Sequence, residues 1–236
     1  MNACRGGAVL ALAGVFSAPA ASDSWGGGAG VATDKVLRGL SQSGGRATLL
    51  LDLFYRSDGG WSLSLGAASL PSAVHQTAAE WTASLARHWQ LDDDWASQLS
   101  ATHYGYPGRG DPRYRSYDEA SASVAWRGLW SLSATLAPQA RGQAPGGRAV
   151  RGTSVLVETA AHLPLVGRWS LDAGLGWYDN HRIGGTPYSF ASLGASWGLG
   201  PVQLSLARVT SRADERGRVS AQVAGDRWLG TAWWTW

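Results

Sequence analysis

The chain has 236 residues, 44% of them hydrophobic, with 20 basic and 17 acidic side chains and a formal net charge of +3. That balance excludes a strongly basic nucleic-acid-binding face, and no apolar run of about 18 residues follows the N-terminus, so no transmembrane helix is expected. Composition is skewed toward 14 Trp and 32 Gly against 3 Phe and 1 Met, which suits a twisted β-structure that seeks interfaces.

The first residues read MNACRGGAVLALAGVFSAPAASDS. Arg5 supplies a positive start, Gly6 to Phe16 an apolar segment, and Ala18-Pro19-Ala20 a small-x-small cleavage site, so residues 1–20 are expected to be a secretory signal peptide. Residues 21–236 then form one domain. Cys4, the sole cysteine, precedes the apolar segment, so it is no lipoprotein anchor and the mature chain has neither disulfide nor thiolate metal site.

Alternating segments of about ten residues follow in chain order. They run near Trp25 to Thr33, from Ala47 (ATLLLDLFYR), Trp61 (WSLSLGAAS), Trp81 (WTASLARHW) and Trp95 (WASQLSATHY), then to Trp126 (DEASASVAW). Further segments start at Trp130 (WSLSATLA), Thr153 (TSVLVETAAHL) and Trp169 (WSLDAGLGWY), end at Trp197 (FASLGASW), and continue from Val202 (VQLSLARV) to the final strand. The count is about twelve, each near the ~9–11 residues a tilted strand needs to cross a bilayer. Short turns at 57–60, 90–94, 127–129, 164–167 and 198–201 alternate with longer loops at 34–46, 70–76, 105–116, 138–152, 179–187 and 210–226. One face of each strand is apolar with Trp at its ends, and the other carries Ser, Thr and Gly. The expected fold is all-β: a transmembrane antiparallel up-and-down β-barrel of about twelve strands, preceded by the signal peptide. Its place is the bacterial outer membrane.

The last strand presents Trp228, Ala232, Trp234 and Trp236 at period two, and therefore to lipid. A terminal aromatic with alternate hydrophobics is similar to the signal that the barrel assembly machinery reads, so Trp228, Trp234 and Trp236 are the expected assembly signal and that machinery an expected partner.

The stretch from Gly28 to Ser69 resembles the start of the TorF-like family of bacterial outer-membrane porins. The residues that carry this are Thr33-Asp34, then Arg38-Gly39-Leu40-Ser41-Gln42, and the hairpin around Asp58-Gly59-Gly60. Tyr104-Gly105-Tyr106-Pro107-Gly108, Tyr117-Asp118-Glu119 and the closing AGDRW are similar to later parts of that family, and the likeness covers most of the mature chain. The chain departs from the family at Lys35, where an aromatic residue is usual. The resemblance implies a barrel and a porin, with Arg38, Gly39, Ser41 and Gln42 as the motif loop and Arg38 in a structural or constriction role. The residues alone favour a simpler reading, a turn in which Arg38 bonds loop carbonyls.

Extending the face assignment puts Asp52, Glu158 and Asp172 near mid-depth of the lumen, Glu80 and Glu119 nearer the loop end, and Arg56, His88, Arg127 and His162 nearer the short turns. Such charges set ion selectivity in an open path or pair across strands and fill the lumen, and both readings stand. The long loops carry Arg109, Arg113, Arg115, Arg141, Arg148, Arg151, Arg212, Arg216 and Arg218. Their guanidinium forks suit the phosphates of lipopolysaccharide or attract anionic solutes. No Gly-x-Ser-x-Gly elbow is present, and no two of the five histidines lie at ligand spacing, so neither a catalytic nor a metal site is expected, and no cofactor. The function these features favour is passive diffusion of small hydrophilic solutes. Next come a closed barrel acting through its loops and, with least support, a lipid-modifying enzyme.

Overall fold

The computed structural model describes residues 23–71, 79–107, 116–143, 148–212 and 224–236. The expected signal peptide lies outside them, as do His75, Arg109, Arg113, Arg115, Arg216 and Arg218. In chain order the strands are β1 (Ser24–Ala32), β2 (Val36–Leu37), β3 (Leu40–Ser41), β4 (Thr48–Arg56), β5 (Trp61–Ser69), β6 (Ala79–Gln90) and β7 (Trp95–Gly105). They continue as β8 (Tyr117–Trp126), β9 (Trp130–Gln143), β10 (Ala149–Pro164), β11 (Trp169–Asp179), β12 (Tyr188–Leu199), β13 (Val202–Ser211) and β14 (Arg227–Thr235). A 3-10 turn, His181–Ile183, lies between β11 and β12.

All but β2 and β3 form one closed antiparallel barrel of twelve strands. Each wall strand pairs with its chain neighbours, and β1 closes the circle on β14 from Gly28 opposite Thr235 to Ala32 opposite Thr231. Closure leaves no unpaired edge, which a strand in hydrocarbon cannot tolerate.

The period-two pattern decides the two faces. Leu49, Leu65, Leu193 and Leu206 are all more than half exposed on the outside, while Thr48, Glu80, Glu119 and Glu158 are buried inside. Apolar exposure on this scale marks a surface built for lipid rather than water. Trp61, Trp95, Trp130, Trp169, Trp234 and Trp236 ring the short-turn end, and Trp81, Trp177 and Trp228 the loop end. These are the two aromatic girdles of a transmembrane barrel.

The barrel seam depends on glycine. In β1 the inner face is Gly26, Gly28 and Gly30, and the Trp233 indole lies flat across the last two: a Cβ on Gly28 would sit 2.5 Å from that ring. Trp233 is thus the inward member of the terminal aromatic run, and it is 8% exposed.

The 138–152 segment departs from the expected long loop. There β9 extends to Gln143 and β10 begins at Ala149, and the two stay paired up to those residues. Ser154 stands opposite Ala137 and Gly152 opposite Ala140, so Thr153 faces both Pro138 and Gln139. That bulge accommodates a proline that has no N–H for the ladder. Burial comes from the returning 3-10 turn, whose Ile183 packs on Ala137 and Ala140. The segment itself holds few large apolar residues, so its own sequence gives little strand signal.

Candidate lumen constriction

The first long connection folds into the barrel. Its core is the two-stranded hairpin β2–β3, with Val36 opposite Ser41 and Leu37 opposite Leu40. Arg38 and Gly39 form the turn, both left-handed, with φ of 53° and 74°. Glycine adopts this freely, whereas arginine pays ~1–2 kcal/mol for it. Gly39 also sets the approach to the wall, because a Cβ there would collide with Phe190 and lie 3.1 Å from the Cβ of Ser211.

Asp34 ties this loop together. Its Oδ1 accepts bonds from Ser41 Oγ at 2.7 Å and Ser43 Oγ at 2.6 Å. Its Oδ2 accepts from Arg227 Nη1 of β14 at 2.9 Å. Ser41 Oγ accepts in turn from the amides of Gly44 and Gly45, at 2.8 and 3.2 Å. Gln42 bonds within the loop, its amide donating to the Lys35 carbonyl at 2.6 Å.

From this base two cations reach the wall. Lys35 Nζ pairs with Glu80 of β6, and Arg38 Nη2 with Glu119 of β8. The Arg38 guanidinium also lies 4.7 Å from the ring centre of Tyr178 on β11. In the circle of strands β8 lies on the far side from β1, so the hairpin crosses the lumen. This corrects the favoured reading of Arg38: its guanidinium meets a carboxylate across the barrel rather than its own loop's carbonyls, because a buried charge requires a countercharge. Stacked rings of Tyr104 and Tyr117, 4.7 Å apart, with Tyr106 beside them, and the Tyr178–Tyr188–Phe190 group complete the loop-end interior. Glu158 of β10 is 7% exposed, and its Oε1 has no hydrogen-bond partner.

The short-turn half is different. Small hydroxyls line it, with Ser170 paired to Ser196 at 2.6 Å, and above them near mid-depth Ser84 pairs with Thr102 at 2.8 Å and Ser121 with Thr135 at 2.7 Å. His88 bonds Ser62 at 3.1 Å. His162 Nδ1 lies 2.7 Å from Asp172 Oδ1, and Asp172 Oδ2 accepts from Ser196 at 3.1 Å. Asp52 and Arg56 occupy the inner face of β4, with the Arg56 guanidinium 4.6 Å from the Phe54 ring centre.

Eight of the nine ionisable residues assigned to the lumen thus lie on inner wall positions, and Arg127 does not. It occupies the β8–β9 turn at φ 52°. There its Nε and Nη2 donate to Asp94 of the neighbouring turn, at 2.6 and 3.0 Å. Those bonds hold the Asp94 carboxyl below its ordinary range. Strand parity points residue 127 inward, but parity ends where the turn begins. Arg127→Ala is accordingly expected to leave ion selectivity in a bilayer unchanged.

His103 faces outward, its Nδ1 2.7 Å from Asp118 Oδ1 and its ring 4.9 Å from that of Trp81. No group of three His, Cys, Asp or Glu side chains could hold a metal among the described residues.

Two solved structures share this architecture. The NanC porin superposes with a TM-score of 0.60 at 9% identity, covering 90% of this chain and 98% of that one. The KdgM porin gives 0.55 at 6% identity, covering 89% and 98%. The fold is that of outer-membrane porins. No family model matches the chain, and no curated protein matches it in sequence. Lys35, Tyr178 and Trp233 were not singled out from sequence as lumen residues. An Arg-Gly pair between short apolar runs, present at both 38–39 and 127–128, is the local signal that marks the two left-handed turns.

Proposed function

We propose that this chain is an outer-membrane porin of narrow bore, passing small hydrophilic solutes through a constriction that its own first loop builds. The observation that carries this is the β2–β3 hairpin, which crosses the lumen and ends in opposed charges, Lys35 to Glu80 and Arg38 to Glu119. Below it, the wall is hydroxyl-lined and free of large aliphatic side chains at most inner positions, which suits water. The porin fold supports the outer membrane as the site, with export through a cleaved leader, the barrel assembly machinery reading Trp228, Trp234 and Trp236, and lipopolysaccharide contacted by the loop arginines. The Asp34–Arg227 bond joins two of the stretches that resemble the TorF-like family.

Three wall carboxyl groups (Glu80, Glu119 and Glu158) and two cations (Lys35 and Arg38) meet at the constriction. Charged rings in a low-dielectric path set ion preference. The test is single-channel recording of refolded protein in a planar bilayer under a KCl gradient, with folding shown by heat-modifiable gel migration. Steady openings with a reversal potential toward potassium are expected. Changing Asp52 and Glu158 together to Asn should move the potential toward chloride, and an unaltered potential would remove both from the ion path.

A second reading is a closed barrel acting through its Arg-rich loops. What favours it is the burial of the hairpin pairs, with Arg38 11% and Glu119 6% exposed at their side chains. A silent bilayer with folded protein would decide for it.

A further inference from the structure

The carboxylates of the constriction belong to the barrel wall, but the cations that meet them come from the hairpin. Glu80, Glu119 and Glu158 stand on β6, β8 and β10, each less than one-tenth exposed. Lys35 and Arg38 arrive from β2–β3 and its approach. Seen without the hairpin, the wall at Arg38 consists of the Glu119 carboxylate, the Tyr178 face, the nearby Tyr104 and Tyr117 rings, and Glu158 with its unpartnered Oε1. A planar cation with N–H donors satisfies this set, since a guanidinium stacks on an aromatic face while its edge meets a carboxylate. Arg38 supplies that group from the end of a turn that arginine adopts at a conformational cost. Arg38 leaves the Glu158 Oε1 without a hydrogen bond.

We infer that the constriction wall is a receptor for guanidinium and primary ammonium groups, with Arg38 as its built-in occupant. A diffusing solute that carries such a group competes with Arg38 for Glu119 and Tyr178, and finds a further acceptor in the unpartnered Glu158 Oε1. Cationic amino or guanidino compounds are therefore the solute class the lumen recognises. This rests on the porin reading for transport, but binding does not require conduction.

The probe is methylguanidinium, titrated by calorimetry into the refolded full chain, with sodium at equal concentration as the control cation. Arg38→Ala vacates the site and should bind methylguanidinium saturably, about tenfold or more tighter than the unaltered protein, which is roughly 1.4 kcal/mol. Adding Glu119→Gln to that variant should abolish the gain. In bilayers methylguanidinium should return the Arg38→Ala conductance toward that of the unaltered protein. If Arg38→Ala does not fold, Arg38→Gln keeps the length of the side chain without the charge and gives the same readout. Absence of saturable binding in a folded variant, or binding that survives Glu119→Gln, overturns the receptor. A silent bilayer with binding intact overturns the porin reading alone.

Discussion

Arg38→Ala is expected to raise single-channel conductance several-fold and to push the reversal potential further toward potassium. Arg38 is the farthest-reaching support of the hairpin, joined to β8 and β11 across the lumen. Removing it deletes the cation that opposes Glu119 and leaves a carboxylate 6% exposed without its partner. Uncompensated buried charges of this kind cost about 3–5 kcal/mol, enough to undock the hairpin while the wall ladder stays intact. Arg38→Lys separates the contributions. It keeps a charge but loses the planar fork and the stacking on Tyr178, so its conductance should fall between the two. Conductance equal to that of the unaltered protein in Arg38→Ala would show that the hairpin does not set the bore.

Trp233→Ala is expected to be the most destabilising single change at the seam, by about 3–5 kcal/mol. The indole lies over Gly28 and Gly30, where β1 meets β14, and is 8% exposed, so its loss opens a cavity at the point of closure. Trp234→Ala is the contrast. Trp234 is 49% exposed on the outer face, and its substitution should cost no more than about 1 kcal/mol in a lipid environment. Urea titration of protein folded in vesicles, followed by heat-modifiable migration, measures both. Equal losses would mean that the seam gains nothing from the inward ring. Gly28→Val should resemble Trp233→Ala, because the added methyls meet the same ring from the other side.

These two sites also show what the sequence could carry. Strand number, the two faces and every short turn follow from local period and turn residues, because alternation fixes which way a side chain points without reference to the rest of the chain. Trp228, Trp234 and Trp236 fall on that alternation and face outward. Trp233 lies off it, and only the glycines of β1, some 200 residues away in sequence, explain why an indole fits inside. The Arg38–Glu119 pair spans 81 residues, and no local rule connects a turn arginine to that carboxylate. Lys35 was legible only as a departure from a pattern, and its partner Glu80 gives that departure a physical role. In the 138–152 segment the opposite happened: local signal was weak because the apolar cover, Ile183, comes from another loop.

The bond between Asp34 and Arg227 joins residues 193 positions apart, and Arg227 opens the strand that seals the barrel on β1. Until β14 arrives, the hairpin lacks that anchor and the sheet still has two free edges. Seating of the first loop and completion of the cylinder therefore share one contact, and the Asp34 anchor exists only in the closed barrel.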